Sequence, residues 1–84
     1  MLFPLYNFSD PSLNYSTVQA TVKSMVSYIN AQSERYRKST NVASVMTNVN
    51  PTLTAMRYDE ELTNTERWKN DVRVAYRQLF NLVQ

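Results

Sequence analysis

The chain has 84 residues, a formal net charge of +2, no Cys, no His and no Gly. That is one domain with a small interior, and disulfides, thiolate chemistry, histidine general bases and the common zinc sites are excluded. Glycine-rich phosphate loops are excluded as well, and without glycine the backbone has few low-cost routes to positive φ. Tight hairpins are therefore disfavoured, and helices joined by Asn, Ser and Thr loops are expected.

Residues 1–10 carry Leu2, Phe3, Leu5, Tyr6 and Phe8 with no charge before Asp10. They show neither helical nor strand periodicity, and Pro4 disfavours helix at Phe3. The stretch reads as an extended apolar and aromatic arm ahead of a single helical domain, 11–84. It lacks a basic leader region, so no signal peptide is expected. No apolar run reaches the length of a membrane span. Two glycosylation-type triplets, Asn7-Phe8-Ser9 and Asn14-Tyr15-Ser16, read as chance in a chain rich in Asn and Ser. An intracellular or virion setting is expected.

Two helix starts follow. Asp10-Pro11 offers a cap with proline at the first helical position. Ser16-Thr17-Val18-Gln19 has the form of a capping box. The pattern predicts a first turn near Pro11 and a main helix over about 17–39. Its apolar stripe is Val18, Val22, Met25, Ile29 and Tyr36, with Val26 beside it. Arg35, Arg37 and Lys38 suit its C-terminal end.

The middle carries Val42, Val45, Met46 and Val49, then Asn50-Pro51, then Leu53, Met56 and Leu62. Proline after asparagine punctuates the pattern, so one or two short connecting helices are expected. Thr63-Asn64-Thr65-Glu66 is a second capping box, with Leu62 as staple. It opens a helix over about 64–82 whose inner face is Trp68, Val72, Ala75, Tyr76, Leu79 and Val83. The fold class expected is all-α: a small bundle of two longer helices and short connectors.

No constellation for catalysis emerges, and no cofactor is expected. Asp59, Glu60 and Glu61 are consecutive, so on a helix their side chains diverge by about 100° each and do not converge on a metal or an acid–base pair. Lys69, Arg73 and Arg77 recur every four residues with Arg67 beside them, a stripe that could follow a phosphate backbone. The same residues equally form a solvated face with local pairs such as Arg67 with Asp71 and Glu66 with Lys69. Arg35-Tyr36-Arg37-Lys38 interleaves cations with an aromatic, as single-strand binders do.

Charge is unevenly spread: only Asp10 and Lys23 precede residue 34. The first helix thus presents Thr17, Gln19, Thr21, Ser24, Ser27, Asn30 and Ser33, a neutral face that another protein can cover without desolvating ions. The five arm side chains either fold back over the helices or dock on a neighbouring subunit. Docking is favoured here because so small a core gains most from a partner. The leading expectation is a non-catalytic interaction or assembly protein, of the kind found as a small phage or viral structural component, whose partners are other protein subunits. A nucleic-acid-binding or regulatory protein using the basic stripe, and a small inhibitor of a partner enzyme, are the alternatives.

Overall fold

The computed structural model describes residues 2–32, 40–58 and 67–83. Within them lie three α-helices and no strand: α1 (Tyr15–Ala31), α2 (Thr40–Tyr58) and α3 (Arg67–Val83). The all-α expectation holds. Helix α3 is the hub, and α1 and α2 both pack against it.

The approach to α1 is built from three side-chain-to-backbone turns in succession. The Asn7 side chain accepts from the Ser9 amide at 3.0 Å, and the Asp10 amide closes a turn onto the Asn7 carbonyl at 3.1 Å. Asp10 then accepts from both the amide and the hydroxyl of Ser12, at 2.9 and 2.7 Å. Those two bonds hold its carboxyl below the ordinary carboxylate range. Asn14 caps the helix by accepting from the Ser16 amide at 2.7 Å, with extended backbone angles. Short polar side chains adopt this local geometry readily, so both Asn-x-Ser triplets are turn-forming signals here. The expected cap at Ser16 moves to Asn14, and the Asp10-Pro11 start yields one turn that does not continue as helix.

Helix α1 buries Tyr15, Val18, Val22, Met25 and Ile29 on one face. Helix α3 buries Trp68, Val72, Ala75, Tyr76, Leu79, Phe80 and Val83. The anchors Val18, Val22, Met25, Ile29, Trp68, Val72, Tyr76 and Leu79 thus form the centre of one core. Phe80, which the six-residue stripe omitted, stacks on Tyr76 with ring centroids 6.2 Å apart. Its position four residues on places it on the same face.

The middle of the chain differs from expectation. Instead of short helices broken at Asn50-Pro51, one helix of 19 residues runs straight through Pro51. Proline removes the amide that would bond the Thr47 carbonyl. Against that cost stands an unbroken apolar stripe. Val42, Val49 and Met56 are buried, and Val45, Met46 and Leu53 pack beside them. Splitting the helix would take one half of that stripe off α3. Tertiary burial here overrides local propensity.

The end of α2 is tied to α1. Tyr15 and Gln19, four residues apart on one face, both donate to the Met56 carbonyl, at 3.2 and 2.8 Å. In this way α1 supplies two side-chain donors to a carbonyl in the last turn of α2. Gln19 therefore reaches across to α2 and not back to its own helix start. Helix α1 ends at Ala31 with Gln32 as its cap, the Gln32 amide donating to the Tyr28 carbonyl at 3.1 Å, which is short of the expected end near residue 39. Tyr36, the cations Arg35, Arg37 and Lys38, Leu62 and the capping box at 63–66 lie outside the described residues.

Candidate functional site

The N-terminal segment crosses the seam between α1 and α3. Phe3 meets Tyr28 of α1 edge-on at 6.0 Å between centroids. Tyr6 hydrogen-bonds Thr21 at 2.8 Å; the Thr21 hydroxyl donates in turn to the Thr17 carbonyl, which leaves the Tyr6 hydroxyl as the donor of the first bond. Tyr6 and Phe8 both contact the Tyr76 ring, at 5.4 and 5.6 Å. The Tyr76 hydroxyl donates to the Pro4 carbonyl. Phe8 is buried, while Phe3 and Tyr6 are half-buried against the core.

The five arm residues thus divide. Phe3, Tyr6 and Phe8 are taken up by the chain's own core, and Leu2 and Leu5 stay 60% and 50% exposed. In the single chain the folded-back course is the one adopted; only the two leucines are left on the arm for another surface. The sequence signal for this split was weak, because the segment has no regular period to assign faces.

Tyr76 sits at the centre of this cluster with no exposed surface. Burial pushes its hydroxyl up to about 12, and the neighbouring Tyr6 phenol acts in the same direction. An unfolded tyrosine ionises near pH 10. Between about pH 10 and 12 the unfolded chain gives up this proton and the folded chain keeps it. The stabilisation is therefore complete below pH 10 and is lost as pH rises toward 12. Thermal melts between pH 8 and 12 are expected to show that decline, and Tyr76→Phe should flatten it. An equal decline in both proteins would remove Tyr76 as its source.

The basic stripe is not brought together as a free surface. Lys69 is buried at 8% exposure, and its ammonium donates to the Asp10 carbonyl at 3.1 Å. It also lies 5.9 Å from the Trp68 ring centre, and Trp68 packs edge-on against Tyr15 at 5.1 Å. This cation fastens the N-terminal turns to α3. Arg73 and Arg77 are exposed on α3, and the Arg67 side chain lies outside the described residues. Asp59, Glu60 and Glu61 also fall outside them. Among the described residues no three His, Cys, Asp or Glu side chains gather in a way that could hold a metal ion. No described helix is long and apolar enough to cross a membrane.

A second region, absent from the sequence reading, lies between α1 and α2. An open groove of about 470 Å³ is lined by Val22, Val26, Met46, Leu53 and Met56, with Gln19 and Ser27 on the α1 side and Asn50 and Thr54 on the α2 side. No described side chain of α3 lines it. Lys23 and Arg57 are the charged residues among its described lining. The neutral face expected on α1 is modified by these contacts. Gln19 and Thr21 are half-buried and bonded, Thr17, Ser24, Ser27 and Asn30 remain exposed, and Ser33 lies outside the described residues.

Comparison with known proteins finds no matching family model, no similar curated protein and no similar solved structure.

Proposed function

We propose that this chain is a non-catalytic protein–protein interaction module that builds or bridges a larger assembly. The observation that supports this reading is the nearly charge-free outer surface of α1 and α2. The exposed positions of these helices are Ser, Thr, Asn, Ala and Pro, with Lys23 and Arg57 as the only charges. A free monomer surface ordinarily carries both signs densely, whereas charge depletion marks surfaces that are covered by protein. Leu2 and Leu5 add exposed apolar area to the same molecule. A virion component or an intracellular assembly factor is the setting that suits such a module.

The basic-stripe alternative has less support, because Lys69 is engaged with Asp10. Lys23 is the only lysine of α1 and α2, which makes it a reporter. Amine cross-linking of the natively isolated protein, followed by peptide mass analysis, is expected to join Lys23 to another polypeptide. Light scattering should give a mass above that of one chain in the same preparation. A solitary chain of monomer mass with Lys23 uncross-linked would sink the assembly reading.

A further inference from the structure

The turns ahead of α1 contain one peptide bond that is easier to break than its neighbours. Asp10-Pro11 joins an aspartate to a tertiary amide. The proline nitrogen carries no hydrogen and is more basic than an ordinary peptide nitrogen, so it leaves more readily once protonated. The aspartate carboxylate reaches its own main-chain carbonyl carbon by closing a five-membered ring.

The fold acts on both partners of that reaction. The Asp10 carbonyl oxygen accepts from the Leu13 amide and from the Lys69 ammonium, each at 3.1 Å. Both donors draw electron density from the carbonyl carbon, and both are placed to stabilise an oxyanion formed there. The Asp10 Oδ1 atom accepts from the Ser12 amide and hydroxyl, at 2.9 and 2.7 Å. The ring closed by the first of these bonds runs through the Asp10–Pro11 peptide group, so the carboxylate is folded back along that group. Asp10, Pro11 and Ser12 are exposed, and solvent protons reach them. Lys69, by contrast, is 8% exposed and is held in place by α3.

We propose that the Asp10–Pro11 bond is a self-cleavage site, cut once per chain in mildly acidic solution to separate residues 1–10 from 11–84. The Asp10 Oδ2 atom adds to the Asp10 carbonyl carbon, and the negative charge passes to the carbonyl oxygen between Leu13 and Lys69. Collapse of the oxyanion breaks the C–N bond, and the Pro11 nitrogen takes a solvent proton and leaves as an amine. The cyclic anhydride left on Asp10 adds one water and opens to two carboxyl groups. One water is consumed, and nothing is oxidised or reduced. The Ser12 bonds hold the Asp10 carboxyl below the ordinary range, so the nucleophile stays ionised where protons for the leaving nitrogen are plentiful. Lys69 is the charged group that acts on Asp10 from α3. Residues 7–14 and the first turn of α1 contain no other charged side chain. After the cut, the N-terminal segment is held by the non-covalent contacts of Phe3, Tyr6 and Phe8 and is free to leave the seam.

The test holds the full chain at the lowest pH where circular dichroism shows it folded, about pH 4–5, near the ordinary carboxylate range. Mass spectrometry follows the appearance of fragments 1–10 and 11–84. The reference is the same chain at the same pH in urea, where Lys69 is no longer beside Asp10. The folded chain should be cut roughly tenfold faster, short of the hundredfold or more that a donor contributes in an enclosed site. Lys69→Met should remove most of that difference, and Lys69→Arg, which keeps a charged donor, should retain part of it. Asp10→Glu, whose ring would have six members, should slow the cut in folded and unfolded chains alike. In the folded parent the rate should climb as pH falls and level off below the ordinary carboxylate range; in urea it should level off within that range. A Lys69 that serves only as a structural tie predicts no gain from folding. Cutting in urea as fast as in the folded chain, a folded Lys69→Met chain cut at the parent's rate, or an intact folded chain would each overturn the proposal. If Lys69→Met does not fold, the comparison of the folded parent with the urea reference decides by itself.

Discussion

Removing residues 1–9 is expected to lower the melting temperature by roughly 15–30 °C in a chain whose mass in solution is otherwise unchanged. The segment deletes one buried ring, Phe8, and two half-buried ones, Phe3 and Tyr6, from the core. A fully buried side chain of this size contributes about 1.5–3 kcal/mol, so the loss sums to roughly 4 kcal/mol. Two hydrogen bonds go with it, from Tyr6 to Thr21 and from Tyr76 to Pro4. A domain of this length has about 4–13 kcal/mol to lose in total. Circular dichroism melts of full and shortened chains, with light scattering on both, measure the effect. If the melting temperature is unchanged, the contacts of the segment with α1 and α3 contribute nothing in solution. If the mass falls as well, the segment also ties copies together, and Leu2 and Leu5 become the residues to vary next.

The second large effect is expected at Tyr76. Tyr76→Ala should cost about 3–5 kcal/mol in urea unfolding, as large-to-small aromatic changes in cores do. The ring is shared by Tyr6, Phe8 and Phe80, so the cavity would open at the junction of α3 and the N-terminal segment. Tyr76→Phe keeps the ring and removes only the bond to Pro4. It should cost about 1 kcal/mol, since the exposed Pro4 region can turn to water. Chymotrypsin provides a local readout, because Tyr6 and Phe8 are natural sites for it, while Pro4 blocks cleavage after Phe3. The alanine variant should be cut there quickly under conditions where the parent and the phenylalanine variant resist. Resistance of the alanine variant would show that the segment is held by α1 alone.

What could be read in the sequence was what depends on period. Val18, Val22, Met25 and Ile29 repeat at helical spacing and are buried on α1; Trp68, Val72, Tyr76 and Leu79 do the same on α3. What could not be read depends on long-range contacts. Pro51 signals a break, and only the burial of Val42, Val49 and Met56 together explains why α2 continues. Lys69 looked like one cation in a row of three; its position next to the Asp10 carbonyl, 59 residues away, is a property of the fold. Gln19 matched a capping box but bonds another helix. The groove was missed for the same reason. Val22 and Val26 were assigned to one stripe, Leu53 and Met56 to another, and nothing in either stripe says that the two leave space between them.

The order of synthesis gives the hub position of α3 a further consequence. The element on which both other helices depend is the last of the three to leave the ribosome. At about 5–20 residues per second, α1 and α2 spend the intervening seconds with Val22, Met25, Val49 and Met56 uncovered. Little native structure is open to the nascent chain, because α1 and α2 pack mainly on a helix not yet made and meet directly where Tyr15 and Gln19 reach the Met56 carbonyl. Folding should therefore be a single late event, and until then the emerging polypeptide is a natural client for chaperones that bind apolar segments.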